Sequence, residues 1–126
     1  MNRPRYESRD EARSSLEDRV SHELMDDAFE AVETATRELV DEYELDGEVD
    51  ADEVQKWLKI GWCENAVVFI DDGVWQSESD VREVVDSIRL NPVSNAMTIA
   101  GVVARRNQEM MRVSNAILKR KYSRGR

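Results

Sequence analysis

Apolar residues recur every three or four positions from residue 10 to residue 45. Leu16, Val20, Leu24, Ala28, Val32, Ala35, Leu39 and Tyr43 make one stripe, acids cover the other positions, and no Gly or Pro interrupts it. That spacing is one face of a helix. Ser8 with Glu11 has the spacing of a capping box at its start. The pattern predicts a single long helix. Packing must stabilise its stripe, against either the rest of the chain or a second copy. A homodimer through residues 10–45 is therefore expected.

Residues 44–53 are an acidic, glycine-containing break, and the chain divides there into 1–49 and 50–126. Asp50 followed by Glu53 signals a helix start. The next helix, 51–71, carries Val54, Trp57, Leu58, Trp62, Ala66, Val67, Phe69 and Ile70 and is apolar nearly all round, so it should be the most buried element. Asp72 and Gly73 end it, and Val74 and Trp75 read as a short extended piece. Ser77 or Ser79 caps a third helix, 79–89, with Val81, Val84, Val85 and Ile88 on one face. Asn91 and Pro92 mark a turn. A fourth helix follows over 94–106, with Ala96, Ile99, Ala100 and Val103 inward.

The last segment admits two readings. Met110 to Tyr122 extends as a helix, or Asn107 and Gln108 end the helix and two strands follow, 110–113 and 117–122, turning at Ser114 and Asn115. The alternation of Ile117, Lys119 and Lys121 against Leu118, Arg120 and Tyr122 favours the hairpin.

Charge changes the picture more than composition does. The 126 residues have net charge −9, and 14 of the 18 basic residues are arginine. A lysine-poor, acid-rich surface is that of a halophilic protein. The distribution is uneven. Residues 1–9 carry +2; residues 10–88 hold 25 acids against six bases; residues 89–126 hold nine bases against Glu109 alone. Solubility does not require that partition, but a C-terminal face meeting a polyanion does. No apolar run is long enough to cross a membrane, and no apolar segment follows the N-terminal charges as in a secretory signal. A cytoplasmic address is expected.

The order helix, short extended piece, helix, turn, helix, hairpin resembles winged helix-turn-helix domains. The likeness runs from Gly73 through Pro92, over Thr98 to Arg106, and into the basic run Lys119 to Tyr122. It covers residues 52–124 and is similar to the DNA-binding half of small archaeal regulators. The resemblance implies a mostly α fold: a long N-terminal helix plus a winged helix-turn-helix with a small C-terminal β-hairpin. It implies double-stranded DNA as partner, bound by helix 94–106 in the major groove. Asn95, Thr98 and Arg105 would face base edges, with Val102 beside them. Arg106, Arg112, Lys119, Arg120, Lys121, Arg124 and Arg126 would meet phosphates. Gly101 would permit close approach. The stretch from Leu90 to Thr98 is longer than the usual tight turn.

Other chemistry is thin. Residues 42–53 match several calcium-loop positions, including Gly47 and Glu53, but Glu42 and Glu44 stand where the shorter Asp is usual. Cys63 and His22 have no neighbours that would make a nucleophile or a zinc site. Trp57, Trp62 and Trp75 read as core. We expect no enzyme, no cofactor and no metal. Two alternatives stand beside a transcriptional regulator or viral or plasmid DNA-handling protein. One is a helical structural or assembly protein, such as a subunit of a viral particle, docking through its basic C-terminus onto an acidic protein partner. The other is an acidic adaptor that mimics nucleic acid. A continuous helix over 107–122 would favour the assembly reading.

Overall fold

The computed structural model describes residues 3–124. Its order is α1 (Arg9–Ser14), α2 (His22–Glu42), α3 (Ala51–Asp71), α4 (Glu78–Leu90), α5 (Pro92–Val103) and α6 (Gln108–Arg124). Helices α2, α3 and α5 pack mutually around the core. Helix α4 lies against α2 and α5, α1 against α3, and α6 against α3 and α5. Among the described residues there is no strand, and the one β-bridge, Asp46 with Val49, stands alone in a loop.

The expected C-terminal hairpin is overturned: residues 108–124 are one helix, so the fold is mostly α without a wing. Asn107 does not end a helix but starts one, its Oδ1 accepting from the Met110 N–H at 2.8 Å. Met110, Val113, Ala116 and Ile117 are buried. That is a helical spacing, and strand alternation would have put Val113 and Ala116 on opposite faces. Burying the stripe of Met110, Val113, Ala116 and Ile117 on α3 and α5 satisfies those positions and the backbone together, whereas a two-stranded hairpin alone is marginal.

The long helix breaks. The Ser15 hydroxyl donates to the Ala12 carbonyl at 2.6 Å, and the chain passes through 15–21 in turns until Ser21 caps α2 by accepting from the Leu24 N–H. Serine at such positions competes with the helical backbone. Leu16 and Val20 stay buried across the break, held by turns with i→i−3 bonds, so the periodicity conceals it. The α2 stripe is covered by the chain's own α3, α4 and α5, so it needs no second copy. One apolar cluster runs across the joint at 49–50, with Leu39, Val40, Tyr43 and Leu45 joined to Val54, Leu58 and Ile99.

The later helices start where capping chemistry puts them. Asp50 accepts from the Asp52 and Glu53 amides, and Ser77 from the Asp80 amide. Only Asn91 separates α4 from α5, because Pro92 begins α5, where its fixed φ and missing N–H suit the first helical turn. The connection is thus shorter than a helix-turn-helix turn, not longer. Val74 and Trp75 form bends, not an extended strand.

Candidate functional site

The residues expected to read bases are largely used by the fold. The Asn95 amide donates to the Ser87 and Asn91 carbonyls at 3.2 and 2.8 Å, closing the end of α4. The exposed Thr98 hydroxyl donates to the Ser94 carbonyl within its own helix. Helix α5 ends at Val103, so Arg105 and Arg106 lie in the turn beyond it. Arg105 is exposed. Gly101 has nothing within 4 Å of where a Cβ would stand. The glycine of close approach is Gly61, whose Cβ would meet the Ile99 carbonyl oxygen at 3.2 Å.

Arg106 is half-buried, its side chain 9% exposed. Its Nη1 donates to both oxygens of Glu64 at 2.9 Å, and its Nη2 donates to the Tyr6 carbonyl at 2.9 Å. Glu64 is fully buried and also accepts from the Tyr6 N–H at 2.8 Å. The guanidinium lies 5.4 Å from the centre of the Trp57 ring. This pair straps the N-terminal segment across α3 and the end of α5. The strap brings Arg3 and Arg5 into a cleft of about 630 Å³ with Arg106, Val102 and Glu64. Two arginines of the N-terminal segment therefore meet Arg106 in space.

The remaining basic residues sit on α6. Arg112 reaches Glu109 at 2.7 Å and is otherwise exposed. Arg120 pairs with Glu48 and donates to the Glu44 carbonyl at 3.2 Å, clasping α6 to the 43–50 loop. That bond holds the Glu48 carboxyl below its ordinary value. Glu109 accepts from the Asp50 N–H at 2.7 Å and clasps the other end of the helix. Lys119 and Lys121 are exposed, Arg124 ends the helix, and Arg126 lies outside the described residues.

Sequence reasoning missed the apolar face between these bases. Met111, Leu118 and Tyr122 are exposed, the last two at 52% and 73%. With Asn115 they recur at four, three and four residues, so they share one side of α6, opposite Met110, Val113 and Ala116. Arg112 and Lys119 flank this stripe on one side and Lys121 on the other. The signal was in the sequence, but strand alternation placed Leu118 and Tyr122 beside Arg120 instead.

No family model, curated protein or solved structure matches the chain.

The other polar groups have structural partners or none that suggest chemistry. Lys59 is buried, bonded to Glu33 at 2.6 Å and 5.3 Å from the Phe29 ring centre. Burial pushes the Cys63 thiol up to about 12, so at neutral pH it is protonated and a poor nucleophile. His22 is exposed at the start of α2. Trp57 and Trp62 are core, and Trp75 is half-buried. Among the described residues no group of His, Cys, Asp or Glu is placed to hold a metal, and no helix is long and apolar enough to cross a membrane.

Proposed function

We propose that this protein is a non-catalytic helical assembly protein that docks through α6 onto an acidic partner surface. One observation carries the reading: α6 is a continuous helix whose outer side exposes Met111, Leu118 and Tyr122 between Arg112, Lys119 and Lys121. A helix buried on one side and apolar again on the other has an unfilled contact. Its rim selects for negative charge, and its apolar centre selects for a side-chain groove or an amphipathic helix over a phosphate backbone. The acid-rich, lysine-poor surface suits a high-salt setting, where an apolar contact keeps its strength while charge pairs are screened.

The test uses a designed amphipathic helical peptide, leucines on one face and glutamates elsewhere. Wild type should bind it, and Leu118→Glu with Tyr122→Glu should weaken binding roughly tenfold or more, as loss of a central anchor does. Equal binding by both proteins, or by neither, overturns the reading.

DNA binding is the second reading, and the arginine cleft favours it. Arg3 and Arg5 in the cleft, and the exposed Arg105 next in sequence to Arg106, make no ion pair among the described residues, although acids outnumber bases. A titration of random duplex DNA over a range of salt decides it. Binding that weakens with salt and is lost in Arg3→Ala, Arg5→Ala, Arg105→Ala would place this reading first.

A further inference from the structure

The described surface exposes six large hydrophobic side chains. Three are the α6 stripe. Two more, Phe69 and Val74, lie at the corner between α3 and α4, and only Leu90 stands apart. The corner is built: Phe69 packs on Trp75 with ring centres 5.2 Å apart, and Trp75 on the buried Trp62 at 6.1 Å. The Val74 and Trp75 amides both donate to the Phe69 carbonyl, at 2.8 and 3.1 Å. Val74 stands out at 60% exposure.

The two patches have opposite charge. Residues 69–80 hold four acids, Asp71, Asp72, Glu78 and Asp80, and no base, while residues 108–124 hold five bases against Glu109. Asp71 is engaged by Arg19, but Asp72 is exposed and its carboxylate makes no hydrogen bond or ion pair among the described residues.

The two patches also sit at opposite ends of α3. Helix α6 is tied at Glu109 and at Arg120 to residues 44–50, just before α3 begins. Phe69 lies in the last turn of α3, 21 residues long, so the corner is on the order of 30 Å away. A chain cannot lay its own α6 on its own corner, but a second copy can.

We infer that copies of this protein associate head to tail, the α6 stripe of one on the Phe69, Val74 and Trp75 corner of the next. This rests on the docking reading above and names its partner. Because the two surfaces differ, the contact is heterologous, and it extends into an open chain or closes into a ring.

Sedimentation and light scattering across a concentration series test it with two variants, each checked for native helicity by circular dichroism. The face variant is Leu118→Glu with Tyr122→Glu, and the corner variant is Val74→Lys. Wild type should grow past the dimer with concentration. Each variant alone should stay monomeric. An equimolar mixture should form a species of about twice the monomer mass and stop, because the pair uses the one intact stripe and the one intact corner and leaves only mutated surfaces free. A wild type that stays monomeric, an association that survives Val74→Lys, or a mixture that fails to recombine overturns the inference. If wild type is monomeric and the face variant still loses the acidic peptide, the docking reading stands and only the self-partner falls.

Discussion

At the residue scale, Arg106 shows how one side chain changes meaning between sequence and structure. In the sequence it belongs to a basic pair, Arg105 and Arg106, at the end of a helix. In the structure its neighbour is solvated, while Arg106 neutralises a carboxylate with no access to water. Removing one member of a buried pair leaves an uncompensated charge. Arg106→Ala should therefore cost ~3–5 kcal/mol in denaturant unfolding, and Arg105→Ala less than about 0.5 kcal/mol. Equal effects would show that Arg106 is not buried in solution. Replacing Glu64 and Arg106 together by apolar residues should recover much of the loss, because the buried carboxylate goes with its partner. Any loss of binding in a joint Arg105 and Arg106 variant must be separated from loss of folding.

At the element scale, two contacts hold the helices in place. The first is the crossing of α3 and α5 at Gly61, where a methyl group would press on the Ile99 backbone oxygen and on side chains of Ile99 and Val103 at 3.1 to 3.3 Å. Backbone cannot swing aside as a side-chain tip can, so Gly61→Ala should destabilise by ~1–3 kcal/mol. A neutral or stabilising result would mean a looser crossing. The second is the clasp of Arg120 on Glu48. The Glu48 carboxyl is depressed mainly by its hydrogen bond from Arg120. A depressed carboxyl stabilises the fold at pH above the ordinary glutamate value of about 4.3, and that contribution disappears as pH falls below it. Amide protection along α6 should therefore drop in acid in wild type. In Glu48→Gln it should already be lower at neutral pH, with a smaller acid step. Identical pH profiles would remove the clasp from the account. Hairpin and helix at 107–122 could not be separated by pattern alone. Both put apolar residues on one side of a short segment, and the choice was made by a groove between α3 and α5 that accepts Met110, Val113 and Ala116.

At the scale of the whole molecule, the sequence break at residues 44–53 is a turn within one core. Helix α2 packs on α3, α4 and α5 from across it. Unfolding followed by tryptophan fluorescence reports on α3 and the corner, and circular dichroism reports on all helices. The two should give one coincident transition, as a single cooperative unit does. Separate midpoints would instead divide the chain at 49–50. What the sequence determined by itself is what local periodicity, capping and composition control. It determined the bounds of α3 and α4 to within a residue, the cap at Asp50, the central stripe of α2 from Leu24 to Leu39, and an acidic middle between two basic ends. These depend on neighbours a few residues away, so they can be read along the chain. Only the tertiary structure decided the break at 15–21, the helix in place of the wing and the strap of Tyr6 between Glu64 and Arg106. It also decided where an apolar basic face and an apolar acidic corner lie, on the order of 30 Å apart. Each depends on contacts between residues up to a hundred positions apart, and a pattern along the chain carries no record of which distant surface will be there to meet it.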